Sequence, residues 1–177
     1  TVISQRTKDE VTAAATRRLF ARAKTPRGML RLGEEEIDRL IFPASFHRTK
    51  ARAIPAICRA LLDRFGGEVP ADIEAMTTLP GVGRKTANLV MTHGFKRDAI
   101  CVDVHVHRIV NRLGHVRTRT PNETEMRLRT KLPRRHWRSI NGLLVAFGQS
   151  VCRPVSPHCS RCPVAGDCRR IGVERSR

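Results

Sequence analysis

The stretch LPGVGRKTANLV, residues 79–90, sets two glycines around a valine and then begins an apolar helix with Arg and Lys. Gly81 and Gly83 allow backbone angles and a close approach that a Cβ would prevent. The exposed N–H groups of such a turn, with the start of the next helix, can bind a phosphate. The stretch predicts a helix–hairpin–helix, and by itself it leaves DNA binding and an ordinary interhelical turn both open. The excess positive charge of the chain favours DNA binding, and the expected contacts are then Leu79, Gly81, Val82, Gly83 and Arg84.

The charge of the chain favours a polyanionic partner. Its 177 residues carry 34 Lys and Arg against 16 Asp and Glu, a net charge of +18. Nucleic acid is the expected partner for such an excess. No apolar run is long enough to span a bilayer, and no basic amphipathic helix has a bulky apolar face, so we expect no membrane association. Six Phe, one Trp and no Tyr are too few rings for a base-stacking platform.

Helical periodicity indicates an all-α protein with an irregular, cysteine-rich C-terminal segment. No stretch shows the alternation of a strand. Thr7 is the expected N-cap of the first helix. The predicted helices cover residues 7–23, 26–33, 34–41, 49–65, 70–76, 84–92, 104–113, 123–131 and 137–147.

Lys85 and Asp103 are candidates for a catalytic pair. The default role of Lys85, in the first turn after the hairpin, is a phosphate contact; a reactive role needs a free amine, which burial and the positive helix end favour. Asp103 lies in an apolar stretch just before a helix, where an N-cap role suffices, although acids in such places are also catalytic. His105 and His107 follow, and we interpret them as structural or facing DNA.

Four cysteines form the pattern C-x6-C-x2-C-x5-C near the C-terminus, which indicates a closed, structural metal site. Disulfides are the less favoured alternative in a basic chain without secretory features. Zinc and an iron–sulfur cube both take four thiolates, and the spacing leaves both open. Cys58 and Cys101 lie in apolar stretches and are expected to be core thiols. The predicted ligands are Cys152, Cys159, Cys162 and Cys168.

The LPGVGRKTAN hairpin, the VDVHVHR segment around Asp103 and the four-cysteine tail occur together in this order. In combination they resemble endonuclease III, the helix–hairpin–helix DNA glycosylase family with a [4Fe–4S] cluster. The resemblance covers essentially the whole chain, and the order and spacing of the three features are far more specific than any one of them.

The resemblance implies a two-lobed all-α fold with DNA bound across the cleft, and an enzyme that excises oxidised pyrimidines and then nicks the strand by β-elimination. Lys85 matches the family's nucleophile, Asp103 its carboxylate and the four tail cysteines its cluster ligands. Residues 1–97 correspond to the helical barrel lobe with the hairpin, and residues 98–177 to the cluster lobe. We expect an N-terminal segment of the cluster lobe to precede Thr1.

Further DNA contacts follow from the same resemblance. Gln5, in ISQRTKDE, matches a glutamine that enters the gap left by a flipped nucleotide. Phe46, in PASFHRTKA, matches a residue that wedges between bases, with His47 beside it; core packing is the alternative for Phe46. Bacterial members often carry Thr-Asp where this chain has Thr7 followed by Lys8, with Asp9 one position later, so the resemblance does not define the lesion contacts of that region.

The expected partner is duplex DNA containing damaged pyrimidines or abasic sites, bound by a monomer. In a prokaryote the chain would act in the cytoplasm or nucleoid. Two other functions stay open: a non-enzymatic DNA-binding module with a structural metal, and a monofunctional mismatch glycosylase. The adenine-specific mismatch enzymes lack a lysine at the position of Lys85, which argues against that class.

Overall fold

A computed structural model describes residues 1–177, and its regular elements are all helical. The chain has no β-strand, so the predicted all-α class is confirmed. Three short helical elements occur besides the α-helices: a π-helical turn at Val90–Gly94 and 3₁₀ turns at Arg134–His136 and Cys159–Arg161. The α-helices are α1 (Asp9–Arg22), α2 (Pro26–Ile41), α3 (His47–Phe65), α4 (Ile73–Thr77), α5 (Arg84–Leu89), α6 (Val104–Leu113), α7 (Pro121–Lys131) and α8 (Ile140–Ser150).

The chain divides into two compact units, Thr1–Val90 and Met91–Arg177. Each unit has its own buried apolar cluster. The functional assignment of the two predicted lobes, with a boundary after residue 97, stays a prediction.

The core of the first unit is formed by the apolar faces of α1, α2 and α3 together with Ile3 and Ala44. Gly33 has φ 73° and ψ 167°, which interrupts α2 at the position where the sequence predicted one helix to stop and another to begin. Gly66, at φ 63°, ends α3 as expected, because glycine reaches the left-handed region without a Cβ penalty. The helix continues through Pro55.

The prediction that Thr7 caps α1 is wrong. Lys8 holds the N-cap position and its side chain makes no capping bond. The Thr7 hydroxyl instead accepts hydrogen bonds from the Ser45 backbone N–H at 3.1 Å and from Lys50 Nζ at 2.9 Å. A tertiary contact with the start of α3 has therefore taken the oxygen that the local sequence offered to the helix.

The core of the second unit lies between α6, α7 and α8, around Ile100, Val106 and Leu128. The predicted bounds of α6 are confirmed, and Gly114 ends it at φ 77°. Helix α7 begins two residues earlier than expected, because Thr120 accepts a hydrogen bond from Glu123 N and Pro121 suits the first turn. Helix α8 begins at Ile140 and not at residue 137 as predicted, because Trp137 directly follows the 3₁₀ turn at Arg134–His136.

None of these helices combines the length and the apolar character that a membrane crossing requires.

Candidate functional site

The predicted hairpin is formed by α4, the turn at residues 78–83 and α5. Asp72 accepts a hydrogen bond from Ala75 N at 2.7 Å and so begins α4. Leu79 is buried and anchors the turn, while Gly81 and Gly83 are exposed. Gly81 has φ +71°, and a Cβ there would meet only Ala53 at 3.8 Å, so its backbone angle is what requires glycine.

Gly83 has a different reason to be glycine. Its φ of −89° is open to any residue, and a Cβ at this position would meet no atom within 4 Å. The fold of the chain alone therefore does not demand glycine at this exposed position. Glycine is needed at such a position when the surface must closely approach the backbone of another molecule, because the missing Cβ leaves room for that molecule.

Arg84 and Lys85 begin α5 directly after the turn. The Arg84 guanidinium bonds the Glu74 carboxylate at 2.6 Å, which ties the two hairpin helices together. The Lys85 side chain is exposed. Burial, which we expected for a reactive lysine, is therefore not a property of Lys85 in this structure.

Gln5 contacts the hairpin. Its Nε2 donates to the Gly81 carbonyl and to the Thr86 hydroxyl, each at 3.2 Å. The Gln5 carbonyl in turn accepts from Lys50 Nζ at 2.7 Å. The glutamine that the sequence assigned to DNA is thus connected to the glycine turn, and Lys50 holds its backbone in place.

Phe46 and His47 stand at the start of α3. Phe46 is 59% exposed, so the core-packing alternative is wrong. Its backbone is left-handed at φ 56°, and the Arg6 guanidinium lies 5.6 Å from the ring centroid. His47 Nδ1 is 2.5 Å from the Asp38 carboxylate, which fixes the orientation of the imidazole. An exposed ring on a constrained backbone suits the predicted wedge, whose role stays a prediction.

Asp103 is the N-cap of α6, as the simpler interpretation held. Its Oδ1 accepts hydrogen bonds from His105 N and Val106 N, both at 2.9 Å. Neither capping bond uses Oδ2. One carboxylate can therefore hold the helix end through one oxygen while the second oxygen remains for other chemistry.

His105 packs towards α8. Its Nδ1 is 3.1 Å from Arg108 Nη2, and a Cβ added to Gly148 would lie 2.4 Å from the same ring nitrogen. Because Gly148 has no Cβ, the imidazole of His105 has the space that it fills beside α8. This supports the structural interpretation of His105; its predicted contact with DNA stays a prediction.

The four tail cysteines line a single pocket beside the end of α6. Two donors point at their sulfurs: Arg112 Nη1 at 3.6 Å from Cys152 Sγ, and Arg170 N at 3.4 Å from Cys168 Sγ. No group of three or more potential ligands is gathered tightly enough to hold one metal ion. Four cysteine sulfurs around one pocket are the set of ligand atoms that a cluster bound by four thiolates needs.

Cys58 and Cys101 are buried away from that pocket, as predicted for core thiols. Burial raises the pKa of the Cys58 thiol. Low reactivity follows, because the thiolate is the reactive form.

Sequence reasoning missed Lys50 and Arg112, two buried cations with positioning roles. Arg112 donates to the carbonyls of Arg153 and Pro154, both at 2.6 Å, and so holds the loop after the first cysteine. The spacing of Lys50 and Ile54 along α3 is a signal that could have revealed the first, because residues four apart share a helix face.

Comparison with known proteins agrees with the hairpin and with the fold. Residues 1–134 match the HhH-GPD superfamily of base excision DNA repair proteins. The chain is 47% identical to endonuclease III of Thermotoga maritima over 168 residues, which is 95% of this chain and 79% of that protein. It is 43% identical to mouse endonuclease III-like protein 1, with 91% of this chain aligned to 55% of the mouse protein.

A solved structure of a trapped covalent intermediate between endonuclease III and DNA superposes with a TM-score of 0.86 at 37% identity. The match covers 96% of this chain and 80% of that one. The all-helical fold and the glycine hairpin thus define a helix–hairpin–helix protein of the DNA glycosylase class. The chain belongs to the HhH-GPD superfamily of base excision DNA repair proteins and, within it, to the endonuclease III family.

Proposed function

We propose that this chain is a bifunctional DNA glycosylase and AP lyase that removes oxidised pyrimidines from duplex DNA and nicks the strand 3′ to the abasic site. The observation that carries the proposal is the exposed Lys85 in the first turn after the glycine hairpin. A hairpin that binds the DNA backbone would bring a primary amine to the sugar-phosphate chain, and only an amine forms an iminium with the sugar.

Flipping a damaged nucleotide out of the duplex costs roughly a few kcal/mol. Contacts of the hairpin and of the positively charged surface with the DNA backbone offset this cost. Neutral Lys85 Nζ attacks the anomeric carbon, the glycosidic bond breaks, and the base leaves with a proton. The sugar ring then opens: the C1′–O4′ bond breaks as the nitrogen forms a double bond to C1′, and the second Nζ proton ends on O4′, which gives a Schiff base. Removal of a proton from the neighbouring sugar carbon then expels the 3′ phosphate, and water releases the enzyme.

Asp103 balances charge as the glycosidic bond breaks, using the carboxylate oxygen that does not cap α6. Gln5 and Phe46 occupy the space that the flipped nucleotide leaves. The protein acts on damaged or abasic duplex DNA as a monomer. The four tail cysteines would hold a [4Fe–4S] cluster, with zinc as the alternative, and such a group would supply a structural cross-link for the loop from Cys152 to Cys168.

Borohydride trapping on duplexes with a thymine glycol or an abasic site tests the lysine. We expect a covalent complex with the parent protein and with a Lys24→Arg control, and none with Lys85→Ala or Lys85→Arg, because guanidinium keeps the charge without forming a Schiff base. Tight binding without any trapped complex would favour the non-enzymatic module or a monofunctional glycosylase.

Substitutions at Asp103 separate its cap role from its chemistry. Asn keeps an oxygen for the α6 N-terminus and removes the charge, whereas Ala loses both. We expect Asp103→Asn to fold normally and to release bases slowly in single-turnover assays, with little loss of DNA affinity. Normal release by Asp103→Asn, together with a loss of stability in Asp103→Ala, would leave Asp103 a cap alone.

A further inference from the structure

The positive charge of this chain extends well beyond the hairpin. Residues 115–139 contain eight Lys and Arg and two Glu, so this stretch carries 8 − 2 = +6 of the total +18. It comprises the loop after α6, helix α7 and the 3₁₀ turn at Arg134–His136. None of the residues assigned above to DNA binding, to chemistry or to the cysteine cluster lies in it.

The loop at residues 115–119 runs antiparallel beside α7. At one end Lys131 Nζ donates to the His115 carbonyl at 3.0 Å. At the other end the hydroxyls of Thr118 and Thr124 are 2.6 Å apart. The loop and the helix expose four basic side chains, which we name the α7 strip: Arg117, Arg119, Arg127 and Lys131.

The backbone that carries the α7 strip is fixed. The Thr118 N–H donates to Asn111 Oδ1 at 2.8 Å, and Asn111 Nδ2 donates to the Thr118 hydroxyl at 3.0 Å. Val116, in the middle of the loop, is buried in the core of the second unit. Cations mounted on an ordered loop lose less conformational entropy on binding than cations on a mobile one.

The two acids of this stretch both have partners, and one of them, Glu123, is an exposed carboxylate beside the α7 strip. Glu123 accepts a hydrogen bond from Arg119 N at 2.9 Å, and that bond lowers the pKa of its carboxyl. Glu125 is buried and pairs with Arg129 at 2.9 Å. Four cations beside one exposed carboxylate leave a net charge of +3 over the strip.

The strip offers charge without an aromatic surface for bases. Trp137, the aromatic ring of this stretch, is half-buried and its indole N–H bonds the Leu132 carbonyl at 2.9 Å. The guanidinium groups of Arg129 and Arg134 lie 5.3 and 5.8 Å from its ring centroid. Single-strand recognition through stacking needs accessible rings, so the chemistry favours phosphates held in a duplex.

We propose that the α7 strip is a second binding site for the backbone phosphates of duplex DNA, damaged or not. From Glu123 to Lys131 the helix rises about 12 Å, and a duplex of that length presents roughly seven phosphate charges. The four cations of the strip, on an ordered backbone, can pair with a part of these charges and read no base. It strengthens binding to any duplex and leaves the chemistry of the lesion to other residues.

The salt dependence of binding to an undamaged duplex tests the α7 strip. The test variant is Arg117→Gln, Arg119→Gln and Arg127→Gln together; Lys131 is retained because it holds the loop. The matched control removes three exposed charges of the first unit: Lys24→Gln, Arg27→Gln and Arg31→Gln. Each lost phosphate contact flattens the plot of log K against log salt by about 0.9.

We expect the strip variant to be flatter than the parent by up to about 2.7, with at least a tenfold loss of affinity at roughly physiological salt. The control variant should change the slope by less than about 0.9, the value for one phosphate contact. Equal slopes for the strip variant and the parent, or for the strip variant and the control, would overturn the proposal. So would a loss of binding that is confined to single strands.

Borohydride trapping at saturating abasic duplex separates this proposal from the proposed chemistry. The strip variant should trap as completely as the parent, because none of its residues takes part in the reaction. A parent that binds but traps nothing would sink the lyase proposal, while the salt slopes would still decide the α7 strip. Normal salt slopes with lost trapping would refute the strip as a binding site.

Discussion

Replacing Lys50 with Met tests how a buried cation builds the DNA-binding region of the first unit. Lys50 is 4% exposed, and its Nζ donates to the Ile3 carbonyl at 2.8 Å, the Gln5 carbonyl at 2.7 Å and the Thr7 hydroxyl at 2.9 Å. All three donors of the ammonium are used. Burial lowers the pKa of Lys50, while these oxygen acceptors stabilise its charged form.

The magnitude follows from these three bonds. A hydrogen bond to a charged group contributes about 1.5–3 kcal/mol, so the set contributes roughly 4.5–9 kcal/mol before costs. Removing the ammonium also removes the free-energy cost of burying that charge in the folded protein, which is roughly several kcal/mol. Met keeps an unbranched apolar stem, so little packing is lost. We expect Lys50→Met to lower the free energy of unfolding by about 2–4 kcal/mol.

Urea denaturation gives the measurement, with Arg48→Met as the control, because Arg48 is exposed on the same helix and loses the same charge. The control should stay within about 0.5 kcal/mol of the parent. The Lys50 variant should also discriminate less between damaged and undamaged duplex, since Gln5 loses its anchor. A Lys50→Met protein as stable as the control would show that the three bonds only balance the cost of burying the charge.

Three other substitutions test separate features. Gly148→Ala should cost about 1–3 kcal/mol in thermal unfolding, because its Cβ would lie 2.4 Å from His105 Nδ1; an unchanged melting temperature would contradict the packing of α6 on α8. Glu123→Gln should be less stable than the parent above pH 4.5, the ordinary pKa of the carboxyl. The difference in stability should shrink as the pH falls through the lowered pKa of Glu123. A difference in urea midpoints that does not change with pH would contradict the stabilising role of the Glu123 carboxylate. Phe46→Ala should keep normal stability, since the ring is 59% exposed, but should slow excision from duplex more than from single-stranded substrate; equal slowing on both would exclude a wedge.

Local patterns in the sequence determined a large part of this protein. Helix α6 was predicted with its observed bounds, because Asp103 caps it and Gly114 ends it through contacts within a few residues. The break at Gly33 is equally local, since only glycine enters that backbone region without strain. The glycine hairpin, the segment around Asp103 and the four-cysteine tail together carried the resemblance to the family before any packing was known, because each is a short pattern in the sequence.

The tertiary structure decided how long-range partners use their polar atoms. Thr7 is a good capping residue in sequence, yet its hydroxyl serves Lys50, which lies more than forty residues away along the chain. The tertiary structure also decided which apolar side chains are exposed. Cys58 and Phe46 are both apolar, yet Cys58 is buried in the core and Phe46 is largely exposed. A local pattern shows which bonds a residue can make, whereas the competition among distant partners for one buried oxygen is settled only when the helices pack.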